Sequence, residues 1–156
     1  MKRYFEIKNY IQGKKAKIYT IYENGESLSE TDKFFMRFKD VPKFKKDIEI
    51  IVKWIRKISN EGVLERHFRP EDEGVAIPIE TSKLRLYGYR INDQILVLGN
   101  GGEKSSNLVK DSPDAFPHFQ LINSLAFIVD LNKSKKKLIV SQDQLIGDLT
   151  FFITTH

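Results

Sequence analysis

The segment from Pro42 to Ile58 constrains the fold most. Phe44, Ile48, Ile51, Ile55 and Ile58 recur there at steps of four and three, the spacing of a single apolar stripe on a helix. Pro42 suits a first helical position, Gly62 a helix end, and Lys46, Lys53 and Lys57 fall on the opposite side of the same wheel. A helix that is apolar on one side needs an apolar surface to cover, and the preceding residues supply one as strands. Tyr4 to Ile11 alternates, with Phe5, Ile7 and Ile11 on one face and Tyr4, Glu6, Lys8 and Tyr10 on the other. Gln12 and Gly13 turn the chain into a second, antiparallel strand over Lys15 to Tyr22, which Asn24-Gly25 ends. Ser29, three residues before Asp32, has the spacing of a helix cap, and Phe34, Phe35 and Phe38 follow at helical intervals. A short helix over Thr31 to Lys39, joined to the long one through Asp40 to Pro42, makes an antiparallel helical pair.

Beyond Gly62 the pattern turns to strands. Residues 65–82 are mixed, with Glu71 to Glu73 reading as a loop and Val75 to Ile79 as a short strand that Pro78 confines to an edge or bulge. In Lys83 to Ile91, alternation sends Leu84 and Leu86 one way and Arg85, Tyr87 and Tyr89 the other. Asn92-Asp93 turns this strand into Gln94 to Leu98, whose unbroken Ile-Leu-Val-Leu run suits a strand buried on both faces. Gly99 to Gly102 reads as a tight turn. His118 to Leu131 predicts a third helix, closed by Asn132 and the basic run Lys133 to Lys137. Leu138 to Val140 and Thr150 to Ile153 read as short strands flanking a turn or single helical turn at Gln142 to Gly147. The expected fold is α+β: an antiparallel sheet with an N-terminal helical hairpin packed on it, plus a C-terminal helix and short strands.

At 156 residues the chain suits one domain with one core. It has no cysteine, which excludes disulfides and Cys-ligated zinc and suits a reducing cytoplasm. Met1 to Tyr10 is charged throughout, so no signal peptide is expected, and no apolar run approaches the length that spans a bilayer. The net charge of +5 is uneven. Residues 1–57 hold fifteen Lys and Arg against eight Asp and Glu, a balance of +7, whereas residues 58–156 hold eleven against thirteen, a balance of −2. A basic first third raises the prospect of a polyanionic partner, nucleic acid before membrane.

Several motifs are excluded by their spacing. Gly99 to Gly102 follows a strand, but Glu103-Lys104-Ser105 matches neither a P-loop nor a dinucleotide fingerprint. His67, His118 and His156 lie far apart with no carboxylate at ligand spacing, so they read as solvated, and no metal and no cofactor are expected. The lysine stripe of Lys46, Lys53 and Lys57 would neutralise phosphates without sequence preference, or serve simply as a solvated helix face, with Trp54 and Ile50 beside it as core or partner contacts. Arg85, Tyr87 and Tyr89 form the more informative row, since planar side chains beside a guanidinium suit stacked bases and phosphates; cross-strand pairing is the structural alternative. Lys104, just past the partner strand, reaches the same region.

A strand, a helical pair and then antiparallel strands is the layout of the RelE/ParE superfamily of bacterial toxins, and the local patterns resemble its HigB and phage-derived relatives. The resemblance covers about residues 15–104 and rests on three features: the apolar helix Pro42 to Ile58 followed by Asn60-Glu61-Gly62; the run Leu84-Arg85-Leu86-Tyr87-Gly88-Tyr89-Arg90; and Ile95-Leu96-Val97-Leu98 with a lysine at 104. The sequence departs from the family where Val75 to Ile79 lacks an arginine, where a single lysine follows the last strand, and where residues 105–156 extend a chain that would otherwise end.

The resemblance implies the toxin of a type II toxin-antitoxin system: a cytoplasmic, metal-independent endoribonuclease that cleaves mRNA on the ribosome, with a cognate antitoxin as partner. On that expectation Arg85, Tyr87, Arg90 and Lys104 are catalytic, and Lys46, Lys53, Lys57 and Tyr89 contact RNA. The alternatives are a non-enzymatic, protein-binding member of the same fold, as in relatives that inhibit gyrase, and an accessory globular protein. A third helix packed across the Tyr-rich strand face would count against the enzyme.

Overall fold

The protein, seen in a computed structural model, is described over residues 1–78 and 82–155. Two strands come first, β1 (Lys2–Gln12) and β2 (Lys17–Glu23), followed by α1 (Glu30–Phe38) and α2 (Lys45–Glu61). Strands β3 (Arg69–Glu71), β4 (Gly74–Ile77), β5 (Leu84–Asn92) and β6 (Ile95–Glu103) follow, then α3 (Phe116–Ser134), β7 (Leu138–Ser141), β8 (Gln144–Gly147) and β9 (Thr150–Thr154). Of the Val75 to Ile79 strand, Ile79 lies outside the described residues, as does His156.

Local chemistry explains where the helices start. The Ser29 hydroxyl accepts a hydrogen bond from the Asp32 amide at 2.9 Å, satisfying one of the free amides of the first turn of α1. Pro42 opens a single 3-10 turn that leads into α2, and Gly62 closes α2 at φ 111°, a conformation that side chains resist.

Seven strands form the main sheet in the order β3-β4-β5-β6-β2-β1-β9, and β7 pairs only with β8. All neighbours in the main sheet are antiparallel except β2 and β6, which run parallel with Ile18 opposite Leu96. The expected fold class is corrected in two respects. The sheet is mixed, not antiparallel, and the helices come after two strands and do not form an N-terminal hairpin. The cause is one joint: parallel neighbours cannot be linked by a tight turn, so the chain must travel over a face of the sheet before β6 can lie beside β2.

Both faces of the sheet are covered. Ile18, Ile77, Leu84, Leu86, Leu96 and Leu98 pack under Phe34, Phe38, Ile51, Trp54, Ile55 and Ile58 of α1 and α2. On the other face Phe5, Ile7, Tyr19, Ile21, Tyr87 and Val97 pack under Leu121, Ile122, Leu125 and Val129 of α3. Thr31 fastens α1 to the central strands: its hydroxyl sits 2.7 Å from that of Thr20 and donates to the Gly99 carbonyl at 2.9 Å. The β7–β8 hairpin is pinned by Tyr19, whose hydroxyl donates to the Asp143 carbonyl at 3.2 Å and accepts from the Leu145 amide at 3.0 Å.

Two loops of the sequence reading are strands. Gly99 to Gly102 continues β6 through a bulge opposite β5, and these glycines are required by close approach: a Cβ at Gly101 would run into the Arg85 carbonyl and one at Gly102 into Asp114. Gln142 to Gly147 holds β8, with only Gln142, at φ 55°, and Asp143 left to turn. Among the described residues no helix is long and apolar enough to cross a membrane.

Ile58 is fully buried and Lys46 is exposed on the same helix. Urea unfolding should therefore show Ile58→Ala losing about 2–5 kcal/mol of stability, whereas Lys46→Ala stays within about 0.5 kcal/mol of the parent.

Candidate functional site

The α3 face of β3, β4 and β5 gathers a polar cluster inside an apolar layer. Strand register determines which residues meet: Arg69 lies opposite Ala76 and Ala76 opposite Tyr87, so all three share a face. Glu71, two residues after Arg69, and Arg85, two before Tyr87, join them by alternation. The middle strand contributes only small residues here, Gly74 and Ala76, which leaves room for the long flanking side chains to lean together. Gly74 also lets α3 approach, since a Cβ there would stand 2.6 Å from the Ile122 side chain.

Arg85 is 4% exposed and Tyr87 is fully buried, whereas Arg69 and Glu71 are half-buried toward the sheet edge. The Arg85 Nη1 donates to the carbonyls of Ser82 and Leu84. Among the described residues three donors in the cluster have no partner: Nε of Arg69, Nε of Arg85 and the Tyr87 hydroxyl. An unpaired buried donor costs about 1–3 kcal/mol. Burial pushes the Glu71 carboxyl above the usual carboxylate range, against the pull of Lys104, Arg85 and Arg69. Burial, helped by nearby Arg69, lowers Arg85, and burial beside Glu71 raises the Tyr87 phenol. Lys104, half-buried, has its backbone amide bonded to the Lys83 carbonyl at 2.6 Å. Among the described residues two guanidiniums and an ammonium stand around the Glu71 carboxyl, with free N–H groups, the chemistry that holds a phosphate or carboxylate.

The structure thus brings together Arg85, Tyr87 and Lys104, and separates the other sequence-derived candidates from them. Arg90 is removed from the set. Its Nε donates to the Val63 carbonyl at 2.7 Å and its Nη1 stands 3.8 Å from Glu65, so it ties β5 to the segment after α2. Tyr89 is not free to stack on a base, because its hydroxyl donates to Asp130 of α3 at 2.6 Å. The row expected to face solvent or ligand is covered because α3 needs an apolar surface: Phe119 meets the Tyr87 ring edge-on at 6.0 Å. Lys46, Lys53 and Lys57 belong to the opposite layer, with the ammonium groups of Lys53 and Lys57 5.9 and 5.0 Å from the Trp54 ring centre.

Arg69 and Glu71 were not singled out by sequence, although Arg69-Pro70-Glu71 has the same period of two as Arg85-Leu86-Tyr87; the acidic run through Glu73 disguised it. His67 corrects the expectation of a solvated histidine. It is buried against Trp54, its Nδ1 accepts from the Leu64 amide at 3.4 Å, its Nε2 lies 3.9 Å from the Glu61 carboxylate, and burial lowers its pKa. His118 is half-buried and also lowered, first by burial. Among the described residues no group of His, Asp or Glu stands close enough to hold a metal ion.

Removing the unpartnered phenol hydroxyl should help: Tyr87→Phe is expected to raise stability by about 1 kcal/mol in urea unfolding. Glu71 gives a pH signature. Its folded pKa is raised, so its favourable contribution is complete below the ordinary glutamate pKa of about 4.3 and is lost as pH rises through the folded value. Urea midpoints measured from acid to neutral pH should show this loss in the parent and not in Glu71→Gln.

Compared with known proteins, the chain matches no family model, no curated protein and no solved structure.

Proposed function

We propose that this chain is a binding protein that arrests growth by docking on a macromolecular target in the cytoplasm, with a cognate antitoxin as its regulator, and that it does not cut RNA. The observation that carries this reading is the position of α3. With Tyr87 fully buried, Arg85 only 4% exposed and Tyr89 bonded to Asp130, α3 covers the strand row on which an RNA strand would have to lie. An accessible basic surface lies on the outer side of α2, where Lys46, Lys53 and Arg56 are exposed and Lys57 partly so. An acidic protein surface or a nucleic-acid backbone would meet it by charge.

One observation favours the ribonuclease reading: the positively charged cluster with unpaired donors. In that reaction the ribose 2′-oxygen attacks the neighbouring phosphorus, its proton passes to a base such as Glu71, and the 5′-oxygen leaves with a proton, giving a 2′,3′-cyclic phosphate end. Arg85 and Lys104 would stabilise the phosphate charge, and α3 would have to lift.

Induced expression in bacteria separates the two. The expected result is growth arrest with intact mRNA, retained in Arg85→Ala/Lys104→Ala and lost when Lys46, Lys53 and Lys57 are all changed to Ala. Fragments ending in 2′,3′-cyclic phosphate that vanish in Lys104→Ala would overturn it in favour of the nuclease, and an absence of arrest would remove the toxin reading itself.

A further inference from the structure

The two edges of the main sheet are built differently. The β3 edge is defended in the usual way: it is three residues long, carries Pro70 at its centre and flanks it with Arg69 and Glu71. The β9 edge has none of these devices. Thr150–Thr154 reads Thr-Phe-Phe-Ile-Thr, with no charge, proline or bulge. Phe152 is 46% exposed on it, and Tyr4, 51% exposed, tilts against Phe152 at 5.8 Å. On the α3 side Phe127 and Leu131 are exposed as well, at 66% and 40%, and a groove of about 1230 Å³ follows the strand between them and Phe151. The groove is lined by both faces of β9, as the space beside an unpaired edge strand is.

The backbone is poised for a neighbour. Met1 and Thr155 exchange hydrogen bonds at 3.1 and 2.9 Å, and the Ile7 amide donates to the Leu149 carbonyl at 2.8 Å. In an antiparallel ladder these bonded positions alternate, so the odd-numbered residues of β9 bond to β1 and the even-numbered ones direct their amides and carbonyls outward. The Thr150 amide is already satisfied by Asp148 at 3.0 Å. The amides of Phe152 and Thr154, with the carbonyls of Thr150 and Phe152, are left for a partner strand.

The pattern about Phe152 is symmetric: Thr150 and Thr154 at the ends, Phe151 and Ile153 inside them. An antiparallel copy centred on Phe152 therefore meets itself. Phe152 exchanges both bonds with the second copy's Phe152, and the Thr154 amide donates to the second copy's Thr150 carbonyl. One face gains a row of Tyr4, Phe152 and their two counterparts; on the other, Phe151 lies beside the second copy's Ile153 in the groove. Charge agrees with this register. Lys2, whose ammonium stands 4.5 Å over the Phe152 ring, shares the Thr154 row and Glu6 the Thr150 row, so along the ladder each lysine row continues into a glutamate row.

We propose that two copies of this chain associate through antiparallel pairing of β9 about Phe152, joining their sheets into one. Light scattering after gel filtration and sedimentation over a range of concentrations test it. The parent should be a dimer, and Phe152→Pro, which removes the central amide, should weaken dimerisation at least about tenfold. Phe152→Lys, which keeps the amide but charges the seam, should do the same with an unchanged circular dichroism spectrum. Hydrogen exchange at the Phe152 and Thr154 amides should slow as protein concentration rises. A monomer at every concentration would overturn the proposal. So would a dimer indifferent to both Phe152 variants, or one broken only by Phe127→Lys, which would place the contact on α3.

Discussion

The parallel contact between Lys17–Thr20 and Ile95–Leu98 is the joint on which the rest of the molecule hangs. It attaches the N-terminal strand pair to the strands that follow the helices, and it does so where both faces are buried: Ile18 and Leu96 meet the layer of α1 and α2, while Tyr19 and Val97 meet the layer of α3. Side chains in such a strand have no solvent side, which is why β6 begins with an unbroken apolar run. Thr20 is fully buried at this joint, and it is not left unpaired, since Thr31 reaches down from α1 to bond it and then the Gly99 carbonyl. A single hydroxyl pair thus sets where the first helix sits on the sheet.

With that joint in place, α3 decides what the β5 face can do. A face bearing arginine and two tyrosines on an antiparallel strand pair suits a ligand if it is bare, and a core if it is covered. Here it is covered, and the tyrosines have divided their roles accordingly: Tyr89 at the margin keeps a partner in Asp130, while Tyr87 deeper in keeps none among the described residues. Among the described residues the donors of Arg69, Arg85 and Tyr87 stay unpaired, a cost to folding that the surrounding apolar packing offsets.

How much of this was legible follows from how local each signal is. The stripe from Phe44 to Ile58, the Ser29 cap and the alternation of Leu84 to Tyr89 each depend on residues a few positions apart, and each stands in the structure. The pairing of β2 with β6 joins residues more than seventy positions apart with no turn between them, and nothing in either strand specifies its partner. The burial of Arg85 and Tyr87 was illegible for the same reason: it depends on a helix thirty residues later. Arg69 and Glu71 were hidden because a three-residue strand is too short to show a period, and Gly99 to Gly102 was misread because a glycine needed for close approach looks, in sequence, like a glycine needed for a turn.

The Tyr19 hydroxyl has a role out of proportion to its size. It belongs to the most deeply buried part of the sheet, yet both of its bonds go to the β7–β8 hairpin, a separate small sheet that shares no ladder with the main one. The hairpin is therefore a clasp fastened at its buried side by this phenol, with side-chain bonds from Lys17 to Gln144 and from Gln12 to Asp143 beside it, and with Leu138 and Leu145 as its buried side chains. Its opening can be decoupled from global unfolding, since releasing this phenol and the few side-chain bonds beside it leaves every strand of the main sheet paired. Heat or denaturant would then find the molecule coming apart in two stages, with a small motion at the rim preceding the loss of the sheet.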